Sequence, residues 1–186
     1  MSVTTTKLTY EDYLTFPDDG LRHEIIDGKH FVTRVPNDRH QMISQNLEDA
    51  IRAYRRTHPE VLHRHAPYEV KLSDVDVVQP DILVITPARR HVRRGRGVTG
   101  APDLVIEILS ESNRRYDEVT KRKLYEQFGV VEYWVVDPDI DSVRIYRRDG
   151  EVLKRVAETS LEEGGTLTTP LLPDFELPIS EVFAEQ

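Results

Sequence analysis

"PDLVIEILS", residues 102–110, decides how the rest of the chain is read. Val105, Ile106, Ile108 and Leu109 form a nearly continuous apolar run, the pattern of a strand covered on both faces of its sheet. Glu107 stands in the middle of that run, and a carboxylate is almost never fully buried unless it is paired or bound to a cation. A second run, "VVQPDILVI" at 77–85, has the same form and reads as one strand, with Asp81 ahead of Ile82, Leu83 and Val84. Two such strands side by side, about 4.7–4.9 Å apart, would bring both carboxylates to matching heights on one cation. A third acid, Glu24, lies on the first strand of "HEIIDGKHFVTRV" at 23–35, where Asp27-Gly28 between apolar runs signals a hairpin turn. Pattern alone leaves a second reading open, in which Asp81 and Glu107 sit near strand ends, solvated or bonded to backbone amides.

The surrounding sequence narrows the chemistry. With 186 residues, 38% hydrophobic and 31% charged, and no Pro/Gly/Ser-rich linker, the chain reads as one globular domain over residues 1–186. No apolar run approaches the length of a membrane span, and "MSVTTTKLTY" lacks the apolar core of a signal peptide, so a cytoplasmic protein without membrane contact is expected. Cysteine is absent, which excludes disulfides, thiol nucleophiles and thiolate-held zinc or iron–sulfur centres. Any metal must then be held by oxygen or imidazole, which favours magnesium or manganese. The net charge of −8 weighs against a surface devoted to nucleic acid, but the distribution is uneven. "ARRHVRRGRG" at 88–97 places Arg89, Arg90, Arg93, Arg94 and Arg96 between two apolar segments, as candidates to hold a phosphate backbone, or simply as a solvated face.

Periodicity supplies the remaining elements. "LTYEDYLTFP" at 8–17 predicts a short helix begun by Thr9. From Asn37 to about Thr57, Ile43, Leu47, Ile51 and Tyr54 form one helical stripe, and His40 falls on that same face. Residues 60–72 read as two extended pieces around Pro67, and the segment after Asn113 as a helix through Phe128 closed by Gly129. "EYWVVDP", "SVRIYRR" and "EVLKRVAE" read as a three-stranded meander, and the tail "LLPDFELPISEVF" as irregular but apolar, docked on the body. Tyr133 and Trp134 are expected in the core.

An acid on a hairpin strand, "PD" opening an apolar strand, an acid at the centre of the next strand and a helix carrying Lys121 together resemble the PD-(D/E)XK nuclease superfamily. More closely, "VQPDILV" and "GAPDLVIEILSESNRRYDEVTKRKLYEQFGVVEYWVVDP" are similar to the Uma-type family of restriction-endonuclease-like proteins. The similarity extends to "RHEIIDGK", "RHQMISQNL" and "LPDFELPISEVF". The resemblance implies an α/β (α+β) fold, a restriction-endonuclease-like core with a central mixed β-sheet flanked by helices. It also implies a Mg²⁺- or Mn²⁺-dependent site for phosphodiester hydrolysis built on Glu24, Asp81 and Glu107, and a nucleic-acid partner, DNA rather than RNA. A homodimer follows by analogy, because a self-standing endonuclease core needs a second copy to cut both strands.

One departure from the superfamily pattern matters. The lysine expected two residues after the second acid, on the same face of the strand, is Leu109 here. Lys121 is the replacement implied by related families in which the lysine has moved to the following helix, where Asp117, Lys121 and Tyr125 share a face at i, i+4 spacing. Without the family, Asp117 and Lys121 read equally as a surface ion pair. The resemblance also places His40 beside the acids, to steer phosphate or water; without it, a lone histidine on the buried-facing stripe reads equally as a satisfied core or boundary residue. Retention of the acids favours an enzyme; loss of the strand lysine favours the alternative, a catalytically decayed nucleic-acid or protein-binding module of the same fold.

Overall fold

The computed structural model describes residues 6–95, 97–110 and 114–185. In chain order the elements are α1 (Tyr10–Tyr13), β1 (Arg22–Ile26), β2 (Lys29–Thr33), α2 (Asp38–Tyr54), β3 (Leu62–His65), β4 (Val70–Ser73), β5 (Asp76–Val78) and β6 (Ile82–Ile85). A 3-10 turn (Pro87–Val92), β7 (Arg93–Arg94), β8 (Gly97–Thr99) and β9 (Leu104–Ile108) follow. A π-helical turn (Tyr116–Lys121) then runs directly into α3 (Arg122–Phe128). The chain closes with β10 (Glu132–Asp137), β11 (Ser142–Asp149), β12 (Val152–Ser160), β13 (Thr166–Thr169), β14 (Leu172–Pro178) and α4 (Ile179–Val182).

The expected central mixed sheet is present, in the order β12-β11-β10-β9-β6-β3, with β9 and β10 parallel and the other pairs antiparallel. Its inner strands bury both faces. Leu104, Ile106 and Ile108 of β9 meet α2 and the C-terminal elements through Ile43, Leu47, Ile51, Leu177 and Ile179. Val105 and Leu109 point the other way, into a second core with Leu124 and Tyr125 of α3 and Val70, Val78 and Val98 of a further six-stranded sheet, β2-β1-β5-β4-β8-β7. Period-2 alternation thus assigns Glu107 to the face that α3 covers.

Local chemistry explains the joints. Asp27 and Gly28 both take positive φ, 51° and 69°, as a two-residue hairpin turn demands. The Asn37 side chain accepts the His40 amide at 2.9 Å and starts α2, and Gly129 at φ 87° ends α3.

Two expectations are corrected. Residues 77–85 are two strands, β5 and β6, in different sheets, because Pro80 has no N–H to continue a ladder. The tail is regular: β13 and β14 pair antiparallel and α4 follows, burying Leu167, Leu172, Phe175 and Phe183 against the central sheet and α2.

Candidate active site

The break between β5 and β6 is where the acids gather. Amides that leave the ladder there still need acceptors. The Gln79 amide donates to Glu24 Oε1 at 2.7 Å, and the Asp81 amide points at Glu107 Oε2 at 3.4 Å. In return, the Ile108 amide donates to Asp81 Oδ2 at 2.8 Å. Glu24, Asp81 and Glu107 therefore sit where three strands meet, at 0%, 4% and 1% exposure. Asp81 and Glu107 are thus bonded to backbone amides, as one of the open readings had it, but they are buried and not solvated.

Lys121 closes the group from the π-helical turn. Its Nζ lies 3.0 Å from Glu24 Oε1, 3.0 Å from Glu107 Oε1 and 3.5 Å from Asp117 Oδ1. Tyr125, one α-turn further on, donates to Glu107 Oε1 at 2.7 Å. A π-turn bonds residue i to i+5, so Tyr116 comes onto the face of Lys121 and its hydroxyl donates to Glu24 Oε2 at 3.2 Å. The ion pair of Asp117 and Lys121 is buried, not a surface one. Leu109 packs in the second core beside Tyr125.

On the other side of the cluster, Arg22 donates to Asp81 Oδ1 at 2.8 Å, and His40 Nε2 lies 3.2 Å from Asp81 Oδ2. His40 Nδ1 is buried without a hydrogen-bond partner. Residues Arg22, Arg34, His40, Asp81, Glu107, Asp117 and Lys121 all reach a cavity of about 250 Å³; Glu24 lies behind Lys121 and does not line it.

Four buried carboxyl groups, Glu24, Asp81, Glu107 and Asp117, face two buried or half-buried cations, Lys121 and Arg22. The formal surplus is two negative charges, and the protonation equilibria respond to it. Burial pushes Glu107 up to about 7, the neighbouring charges of Asp81 and Glu24 add to this, and Lys121 only partly offsets it. Burial likewise raises Asp117 well above the usual carboxylate range. Asp81 moves down although its burial works the other way, because the His40 hydrogen bond and the Arg22 charge favour the anion. Burial alone would lower Lys121, but Glu107, Glu24 and Asp117 hold it well above the normal lysine range.

That surplus equals the charge of one divalent ion, and the donors are hard oxygens. Among the described residues no three His, Asp or Glu side chains form a ready cage for a metal. Asp81 and Glu107, joined at the cavity wall by the Asp81 amide on Glu107 and the Ile108 amide on Asp81, fit instead the sparser habit of Mg²⁺, which takes one or two carboxylates and leaves other positions to water and phosphate.

The arginine run lies elsewhere. It leaves the far end of β6, so about 13 Å of strand separates it from Asp81. Arg89 is committed to Asp103 at 3.1 Å and to the Ala101 carbonyl, and Arg90 to the Glu60 carbonyl at 2.7 Å. Arg93 and Arg94 are exposed, and Arg96 lies outside the described residues. The sequence reading missed Arg22, Arg34 and Tyr116. Arg22 carried a signal, since it shares a strand face with Glu24 at i, i+2. Tyr116 carried none, because helical spacing presumes α geometry.

The sequence model of the Uma2 family, described as "Putative restriction endonuclease", matches residues 10–180. Among solved structures, the chain is similar to a protein from Anabaena variabilis ATCC 29413 described as a putative nuclease belonging to DUF820. The TM-score is 0.78 at 20% identity, over 95% of this chain and 97% of that one. No curated protein matches.

Proposed function

The chain belongs to the Uma2 family of restriction-endonuclease-like proteins, and on that premise we propose that it is a metal-dependent endonuclease that hydrolyses phosphodiester bonds in nucleic acid, DNA in preference to RNA. In this reading the single domain 1–186 works in the cytoplasm. Asp81 and Glu107 hold Mg²⁺ or Mn²⁺, and Glu24 supports the site indirectly by anchoring Lys121 and Tyr116. A bound divalent ion supplies Lewis-acid polarisation of the phosphate and acidifies the attacking water. Lys121 orients that water and offsets charge on the pentavalent phosphorus, the part a lysine at position 109 would take. Tyr125 fixes the Glu107 carboxylate, and His40 steers the Asp81 side or a phosphate oxygen. The exposed arginines at 93 and 94, with Arg96, bind backbone phosphates away from the reacting centre.

The observation that carries this reading is the Lys121 ammonium 3.0 Å from Glu107 Oε1, in the cavity wall with Asp81. A decayed module has no need of a buried ammonium among four carboxyls, whose desolvation is costly. For the homodimer, support comes from β12, a nine-residue edge strand with one unpaired side and exposed Val152 and Val156. The test is a cleavage screen over single-stranded, duplex, branched and RNA substrates with Mg²⁺ and Mn²⁺, beside Glu107→Ala. Metal-dependent cutting lost in Glu107→Ala is expected. No cutting of any substrate, with no metal-induced rise in melting temperature, refutes the enzyme.

A further inference from the structure

The acid-lined cavity has a neighbour. A second cavity, of about 200 Å³, shares with it a wall made of Arg22, Arg34, Val35, Pro36, His40 and Asp81. Beyond that wall it is lined by apolar Leu21 and Pro67 and by the hydrogen-bonding side chains of Gln41, Ser44, His65 and Gln79. Glu48, which also lines it, is already met by Arg52 at 3.5 Å and by His65 at 3.7 Å. Apolar sides with a few polar groups suit a flat ring with a polar edge.

The shared wall also holds a free charge. Arg22 is committed to Asp81, whereas the guanidinium of Arg34 is exposed and has no hydrogen-bonded or ion-paired partner among the described residues. Were a strand with its scissile phosphate over Asp81 and Glu107 to leave the first cavity past this wall, its next phosphate would meet Arg34 and its next base the second cavity.

We infer that the second cavity takes an unpaired nucleotide next to the scissile bond, with Arg34 gripping the phosphate between the two cavities, so that the substrate class is single-stranded or locally unpaired nucleic acid. A base held in a duplex stack cannot enter such a recess without leaving the stack, which costs a few kcal/mol in a duplex and nothing in a strand already open. The inference rests on the nuclease reading above and adds to it a strand path and a residue whose role is substrate binding.

The test compares a labelled single-stranded oligonucleotide with its duplex, by Mg²⁺-dependent cleavage and by binding anisotropy across salt concentrations. Three variants are used: Arg34→Ala, Arg34→Lys, and Ser44→Leu, which narrows only the second cavity. Wild type is expected to cut the single strand at least about tenfold more efficiently than the duplex. Arg34→Ala should raise KM for the single strand about tenfold, with kcat and the Mg²⁺-induced melting shift unchanged. Its salt slope should fall by about 0.7, the value of one phosphate contact on a single strand. Arg34→Lys should keep most of the binding, and Ser44→Leu should erase the preference for the single strand. Equal cutting of both forms, or an unchanged KM and salt slope in the exposed and fold-neutral Arg34→Ala, overturns the inference and leaves the nuclease standing. If wild type cuts nothing with either metal, the nuclease reading falls and this inference with it.

Discussion

Replacing Lys121 by methionine keeps an unbranched stem out to Cε, with sulfur in place of Cδ, and removes the ammonium, which makes it the most direct probe of the buried cluster. The change raises the formal surplus from two negative charges to three. At an effective dielectric of 20, each of the two 3.0 Å contacts to Glu24 and Glu107 is a Coulombic attraction of about 5 kcal/mol. The wild-type ammonium gives back much of this as desolvation, so the measured loss should follow the usual cost of removing one partner of a buried pair, about 3–5 kcal/mol. For a chain of this length that lowers the melting temperature by roughly 6–20 °C. The loss should be largest near pH 8. At pH 6, below the value of about 7 to which Glu107 is pushed, a bound proton on that carboxyl relieves part of the repulsion. Added Mg²⁺ should recover stability in the variant, because a divalent ion neutralises the same carboxylates. The assay is thermal melting at both pH values, with and without Mg²⁺, beside single-turnover cleavage, which should fall about 10²–10⁴-fold. A melting temperature unchanged at both pH values would refute the buried bridge, and undiminished cleavage would remove Lys121 from the chemistry.

Further outcomes are expected. Leu109→Lys added to Lys121→Met should restore part of the lost cleavage, since positions 107 and 109 share a strand face, at a cost in stability because Leu109 lies in the core; a double mutant no faster than Lys121→Met speaks against a shared role for the two positions. Asp81→Asn and Glu107→Gln should each abolish the Mg²⁺-induced rise in melting temperature; without metal, Glu107→Gln should be as stable as wild type or more so, whereas Asp81→Asn should be less stable because Arg22 loses its buried anion, and a metal response retained in either variant removes that residue from the site. Glu107 is raised in the native state, so between the ordinary 4.5 and about 7 the unfolded chain releases a proton that the folded one keeps, and stability falls as pH rises through that window. Denaturant titration should therefore show Glu107→Gln gaining on wild type across that range, by a few kcal/mol at most, and parallel pH curves would contradict the shift. Arg89→Ala should lower stability by about 1–3 kcal/mol by leaving buried Asp103 without its ion pair, and Arg93→Ala should not, as urea unfolding would reveal.

The sequence by itself determined β9, the meander of β10 to β12 and the turn at Asp27-Gly28, and it marked Glu24, Asp81 and Glu107 as acids in need of compensation. Runs such as Val105–Leu109 exclude water from both faces of a strand whatever its neighbours are, Asp27-Gly28 can take the two positive φ angles of a tight turn, and a carboxylate inside an apolar run must be compensated. These are local constraints, and they survive into the fold. Even the stripe of α2 placed His40 on the side that meets Asp81. What tertiary structure decided was which groups compensate the acids. Pro80 divides residues 77–85 between two sheets, and the amides freed there turn to Glu24 and Glu107, an outcome of three strands meeting that no run of residues encodes. The turn at Tyr116–Lys121 is π, not α, so Tyr116 joins Lys121 on Glu24. The arginines at 89–96 and Arg34 look alike in sequence, yet two of the former are held by Asp103 and backbone carbonyls at the far end of β6, and Arg34 lines the cavity with no partner among the described residues. A charge is found by counting residues; its partner is fixed by distances between segments far apart in the chain, and only the packed fold sets those.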